Sequence, residues 1–244
     1  MIAAPEILAP AEPRPSLRER KKLATRRALR RAALDLVAER GFAHVTVEDI
    51  AEAADVSPRT FFNYFPSKEA ALFGADTGRT EALRLRLIQQ SPGETALEAL
   101  RIVLIEEARA RTEELRELGG DPASQLHRMR ASHLDPDLSA ARAAHMAMVE
   151  CVVADALAER LGVDSQQDPY PLLLAVAAMG VMRAAMSFWA SSGGVVPLDQ
   201  LVDGASRALA DGLPENCAVR SVIATAAGAS PAAVASPEHR KDPE

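Results

Sequence analysis

Three observations on the 244-residue chain predict an all-α fold. Apolar residues recur at three- and four-residue spacing in one segment after another, and no sustained apolar/polar alternation marks a strand. The Ala, Leu, Glu and Arg content favours helix. Caps, Gly and Pro punctuate the periodic segments at helix-like lengths. Hydrophobic residues make up 48% of the chain and aromatics only 4%, so the core must come from Ala, Leu, Val and Met. The length fits one large or two small domains. The reading is an N-terminal three-helix helix-turn-helix domain over 16–66 and a larger helical domain over 67–213. Tails at 1–15 and 214–244 flank them.

Residues 1–15 are rich in Pro and Ala and are expected to lack order. A helix is predicted from Leu17 to Arg40. Its first half is very basic, and its second half carries Leu29, Ala33, Leu36 and Val37 on one face. Gly41 ends it, and Phe42 is placed to fold back as the hydrophobic partner of a Schellman cap. Thr46 with Asp49 forms a capping-box pattern for a second helix. Val47, Ile50, Ala51 and Ala54 give that helix an apolar face. Asp55-Val56 is the turn. Ser57 then caps a third helix, with Pro58 at its first position, where a missing N–H costs nothing. Pro66 stops it near Phe65. Phe61 and Phe65 lie four apart and anchor this helix, while Arg59, Thr60 and Asn63 point outward.

Ser67 is expected to cap one long helix reaching toward Gln90, which Ser91-Pro92-Gly93 breaks. Further helices are predicted over about 94–118, 123–132, 137–161, 168–191 and 197–213. Gly119-Gly120, Asp135-Pro136, Gly162 and Ser192-Gly193 separate them. Beyond Pro214 the Ala, Ser and Pro content reads as a mobile tail. Pro171 to Ala190 is nearly continuous apolar sequence. Arg183 in its middle favours a buried core helix over a membrane span.

Charge is divided along the chain. From Arg14 to Phe73 there are 12 Lys/Arg against 8 Asp/Glu, while the remainder carries 16 against 26. A basic module on an acidic body suits a DNA binder whose body stays off the phosphates. A short, aromatic-anchored helix with Arg, Thr and Asn donors suits a recognition helix in the major groove. Two distant cysteines and the lack of a hydrophobic leader fit a cytoplasmic protein. The five histidines show no metal-ligand spacing. No phosphate loop, dinucleotide fingerprint or nucleophile elbow appears, so the chain does not read as an enzyme and asks for no cofactor.

The stretch GFAHVTVEDIAEAADVSPRTFFNYFPSKEAAL resembles the DNA-binding domain of the TetR family of bacterial transcriptional regulators. The resemblance runs from about Leu17 to Leu72 and departs from the pattern at the turn, where Asp55 stands in place of the usual Gly. It implies a homodimer on a palindromic operator, most often as a repressor. Thr46, Thr60, Tyr64 and Lys68 match phosphate-contacting positions, and Phe62 matches one that packs on the backbone or a thymine methyl. Arg59 and Asn63 are the candidates for base edges. Lys21, Lys22, Arg26 and Arg27 on the basic first helix would add phosphate contacts.

The apolar helix near Met179 has two notable stripes. Leu173, Ala177, Gly180, Ala184, Ser187 and Ser191 are mostly small. They permit close helix approach, either to a second subunit or within one subunit. Leu172, Val176, Met179, Arg183 and Met186 form the second stripe. Met is adaptable and common at promiscuous apolar sites. This stripe is either a Met-rich core with a structural ion pair or the wall of an effector pocket. Met129, Met146, Met148, Met182 and Trp189 would share such a pocket, with Arg183 meeting an acidic group. The sequence around Met179 and the segment after it are similar to TetR-type bodies whose effectors are acyl-CoA-like. A small lipophilic effector is therefore the expected partner, with no membrane partner.

Overall fold

The computed structural model of the chain describes residues 16–73, 77–119, 121–215 and 217–226. Among these residues every regular element is helical. The elements are α1 (Leu17–Arg40), α2 (Val47–Ala53), α3 (Pro58–Phe62), α4 (Lys68–Phe73), α5 (Thr77–Gln89) and α6 (Ala96–Glu117). There follow α7 (Pro122–Leu134), α8 (Ser139–Leu161), α9 (Tyr170–Ser191), α10 (Leu198–Ala210) and α11 (Ala218–Ala226). The predicted tail over 1–15 lies outside the described residues.

The first three helices form where their caps and apolar faces place them. Ser16 caps α1, and a reciprocal bond from Glu19 completes a capping box. Leu29, Ala33, Leu36 and Val37 are all buried. Thr46 and Asp49 make the capping box of α2, and Ser57 accepts from the Thr60 N–H at the start of α3. Asp55 has φ of +55°, the left-handed conformation that the turn demands. Phe61 and Phe65 are fully buried and pack ring to ring at 5.9 Å. At about 1.5–3 kcal/mol for each large apolar side chain, these two hold a five-residue helix that would not persist alone.

The cap of α1 differs from expectation. Gly41 ends the helix at φ +77°, and its N–H reaches the Val37 carbonyl at 2.9 Å. Its ψ of 156° sends the chain outward rather than into a left-handed turn. The Phe42 N–H therefore donates to Asp135 Oδ2 at 2.8 Å, not back to α1. A carboxylate from the body takes up the N–H that a Schellman cap would have returned to the helix.

The helix predicted from Ser67 to Gln90 is represented by α4 and α5, and residues 74–76 between them lie outside the described residues. In the body, α8 and α9 pair as a hairpin, and α9 also rests on α6, α7 and α10. α9 is long and apolar enough to cross a membrane by composition, but one face is buried against these four helices. Its other face is exposed. Leu173 is 64% accessible, and Tyr170, Leu172, Val176 and Phe188 are exposed beside it. The small-residue stripe lies on this outward face, with Ala184, Ser187 and Ser191 exposed and Ala177 and Gly180 half-buried. It does not serve packing within the subunit.

The chain does not lose structure at Pro214. α11 packs on α10, with Val219, Val222 and Ile223 set against the core. Gly204 permits the approach, since a Cβ there would lie 3.0 Å from Val219 Cα. The remainder of the predicted tail, 227–244, lies outside the described residues.

Candidate nucleic-acid interface and ligand cavity

α3 presents Arg59, Phe62 and Asn63 together on its exposed side. Phe62 is 56% accessible, an unusual position for a phenyl ring unless something covers it. Asn63 stands one residue past the helix end, with its N–H on the Thr60 carbonyl at 3.1 Å. The Phe65 N–H still reaches the Phe61 carbonyl, so the coil continues to Phe65 although α3 closes at Phe62. Thr60 is half-buried, its hydroxyl 2.9 Å from that of Ser57.

The other candidate phosphate contacts divide into free and committed groups. Lys21 and Lys22 are exposed on the outer half of α1. Arg26 stacks over the Phe65 ring at 5.4 Å, and Arg27 pairs with Glu117 at 2.6 Å. The Thr46 hydroxyl donates to Asp49 at 2.6 Å. Tyr64 is half-buried against the core. Lys68 is the most constrained. Its ammonium donates to the Phe42 and Val45 carbonyls at 3.0 and 2.8 Å and sits 3.9 Å from the Phe42 ring centroid. It ties α4 to the loop before α2 and keeps one N–H for another acceptor.

A cavity of about 510 Å³ opens between the domains, within the range of pockets for drug-sized ligands. Met146, Met179, Met182, Arg183 and Met186 line it, as does Met129. Trp189 does not line it and instead packs beside Gly194. Met148 is exposed on the far side of α8, because it lies two residues from Met146 and so faces elsewhere. Leu172 and Val176 are exposed on α9 and do not share the face of Met179. Arg183 is exposed at the cavity edge, not buried in it.

The charged part of the wall escaped the sequence reading. Arg30, Arg79, Glu107, Arg111, Arg142 and His145 all line the cavity. Arg79 bridges Glu107, at 2.5 Å, and Glu114, at 2.7 Å, and Arg30 pairs with the same Glu114. Burial works against the charge of Arg79, but the two carboxylates outweigh it and raise its pKa. Burial would likewise raise Glu114, yet Arg30 and Arg79 draw it down to about 2. Arg111 differs. Burial, with the nearby charges of Arg79 and Arg30, lowers it to about 10, against the pull of Glu107. His145 stacks on Phe73 at 5.4 Å, and burial followed by Arg111 and Arg79 lowers its pKa.

A sequence signal for this wall existed. Leu100, Leu104, Glu107, Arg111, Glu114 and Leu118 follow the same three- and four-residue spacing, so charged residues continue an apolar stripe. Among the described residues, no group of three or more His, Cys, Asp or Glu is placed to hold a metal ion.

A helix-turn-helix braced by a basic helix, joined to a helical body with a cavity at the junction, defines a class: two-domain, helical DNA-binding regulators. The comparisons identify the family. The model of the bacterial regulatory proteins of the tetR family matches residues 29–75, and that of the MftR C-terminal domain matches 94–214. The HTH-type transcriptional regulator TcmR of Streptomyces glaucescens is 36% identical over 179 residues, which is 72% of this chain and 77% of that relative. Two solved structures are also similar. FadR of Thermus thermophilus, a TetR family transcriptional repressor in complex with lauroyl-CoA, is 28% identical with a TM-score of 0.46 over 78% of this chain and 95% of its own. FadR of Bacillus halodurans is 17% identical with a TM-score of 0.49 over 78% and 96%. The chain belongs to the TetR family of transcriptional regulators.

Proposed function

We propose that the chain is a homodimeric, cytoplasmic repressor released from a palindromic DNA operator by a small lipophilic effector. One observation carries this reading. The cavity wall includes Arg30 of α1 and Leu72 and Phe73 of α4, so an occupant touches the helices that hold the helix-turn-helix. Arg59 and Asn63 read base edges, and Phe62 packs on the backbone or a thymine methyl. Thr46, Thr60, Tyr64, Lys21, Lys22, Arg26 and Arg27 supply phosphate contacts, joined by the remaining Lys68 N–H. Paired half-sites need two recognition helices about 34 Å apart, hence two subunits. The exposed apolar face of α9 supports such pairing.

The effector acts by shifting populations. Its affinity must differ between the DNA-competent state and the released state, and a 100-fold release corresponds to about 2.7 kcal/mol. Neither catalysis nor a cofactor enters this scheme. The test is selection of bound DNA from a random duplex pool at near-physiological salt. The expected result is a palindrome with half-sites about one helical turn apart. Uniform, salt-sensitive binding without a consensus overturns the reading in favour of a non-specific binder.

A further inference from the structure

The cavity wall carries more positive than negative charge. Five arginines line it, at positions 30, 79, 111, 142 and 183, against the carboxylates of Glu107 and Glu150. Glu114 stands just behind Arg30 and Arg79. These carboxylates are already shared. Glu107 faces Arg79, Arg86 and Arg111, and Glu114 faces Arg30 and Arg79. Arg111 gets the poorest share, at 3.8 Å from Glu107, and its Nε is buried without an acceptor. The Nε of Arg30, on the same wall, is also buried without one. A buried donor without a partner has lost its water and gained nothing in exchange, a loss that an incoming acceptor recovers. The opposite wall is apolar and adaptable, built on Met179, Met182 and Met186.

We infer that the cavity selects an amphipathic monoanion, with its carboxylate seated on Arg111 and its apolar body against the methionines of α9. This rests on the effector reading above and names the class of effector. A neutral ligand of the same shape leaves Arg111 unsatisfied, and a cation meets four or more guanidinium groups. A bound carboxylate also competes with Glu107 and Glu114 for Arg79. Its charge thereby reaches Arg30 and α1.

The test uses the full chain and matched pairs of probes. These are linear C8–C14 carboxylates with their primary amides, and naphthalene and anthracene carboxylates with theirs. Calorimetric titration measures binding, and operator affinity is followed in parallel. At least one acid should bind ten-fold or more tighter than its amide. Arg111→Met should cost that acid about 10- to 100-fold while barely changing the amide, as expected for a charge-assisted hydrogen bond. Arg111→Lys, which keeps the charge, should restore part of the preference, and melting curves confirm that both variants fold. The inference is overturned if no acid binds, if acids and amides bind alike, or if the preference survives Arg111→Met. Failure of the effector reading looks different: the acid binds with the Arg111 signature but leaves operator affinity unchanged.

Discussion

Arg128 of α7 donates to Asp35 of α1 at 2.6 Å, and its chain neighbour Met129 faces the cavity. One helix thus touches the ligand space and the brace of the DNA-binding domain with adjacent residues. The pair is lopsided. Arg128 is buried and also donates to the Gly119 carbonyl, whereas the Asp35 side chain is 38% accessible. Arg128→Met leaves a carboxylate that water can solvate and should cost about 1 kcal/mol. Asp35→Ala leaves a guanidinium buried with one acceptor and should cost about 3 kcal/mol. Urea denaturation of both variants decides this, and the reverse order would show that the pair is not what matters at Arg128.

Lys68 and Asn63 should separate stability from recognition. Lys68→Met releases the carbonyls of Phe42 and Val45 and should lower stability by about 2 kcal/mol. It should also weaken binding to every DNA sequence alike. Asn63→Ala should leave the melting temperature in place and relax preference at one base pair by about 1–3 kcal/mol. Equal weakening on all sequences by Asn63→Ala would remove it from the base-reading set.

Acid should act on the wall of the cavity in two windows. The folded-state pKa of Glu114 is held at about 2 by Arg30 and Arg79, below its ordinary 4.5. Its contribution to stability is therefore complete above pH 4.5 and is lost as pH falls toward 2. His145 is also shifted down, from 6.5, so the unfolded chain takes up its proton first and stability declines as pH drops below 6.5. Denaturation curves from pH 7 to 3 should lose the lower-window slope in Glu114→Gln and the upper-window slope in His145→Leu. A profile unchanged by either substitution would place the acid response elsewhere.

The turn before α3 stores a small strain. Asp55 holds φ of +55°, a conformation glycine adopts without penalty. Asp55→Gly should raise stability by about 0.5 kcal/mol and leave operator affinity unchanged. A loss of stability would mean that Asp55 makes a contribution beyond the turn.

The DNA-binding end was legible because local rules govern it. Thr46-Asp49, Ser57-Pro58 and the Phe61/Phe65 pair act within a few residues, and each appears where its spacing puts it. The cavity was half-legible. The methionines of α9 follow from one helix's periodicity, but Arg79, Glu107 and Arg111 acquire meaning only when α5 and α6 meet. The replaced Schellman cap failed for the same reason, since Asp135 lies 93 residues from Phe42. α11 was missed because its Ala- and Ser-rich surroundings resemble a solvated tail. It is seated on α10, a different helix, where Gly204 leaves room for Val219.

The close fit of α11 on Gly204 bears on how the body can be studied by itself. The matched region of the second domain ends at residue 214, a natural place to cut a fragment. A fragment ending there strips Val219, Val222 and Ile223 from α10 and bares a greasy seam around Gly204. Such a fragment would self-associate through a scar of the cut, and its sedimentation would be mistaken for the proposed pairing through α9. Cutting after Ala226 keeps the seam closed, so that any dimer then observed reports on the α9 face.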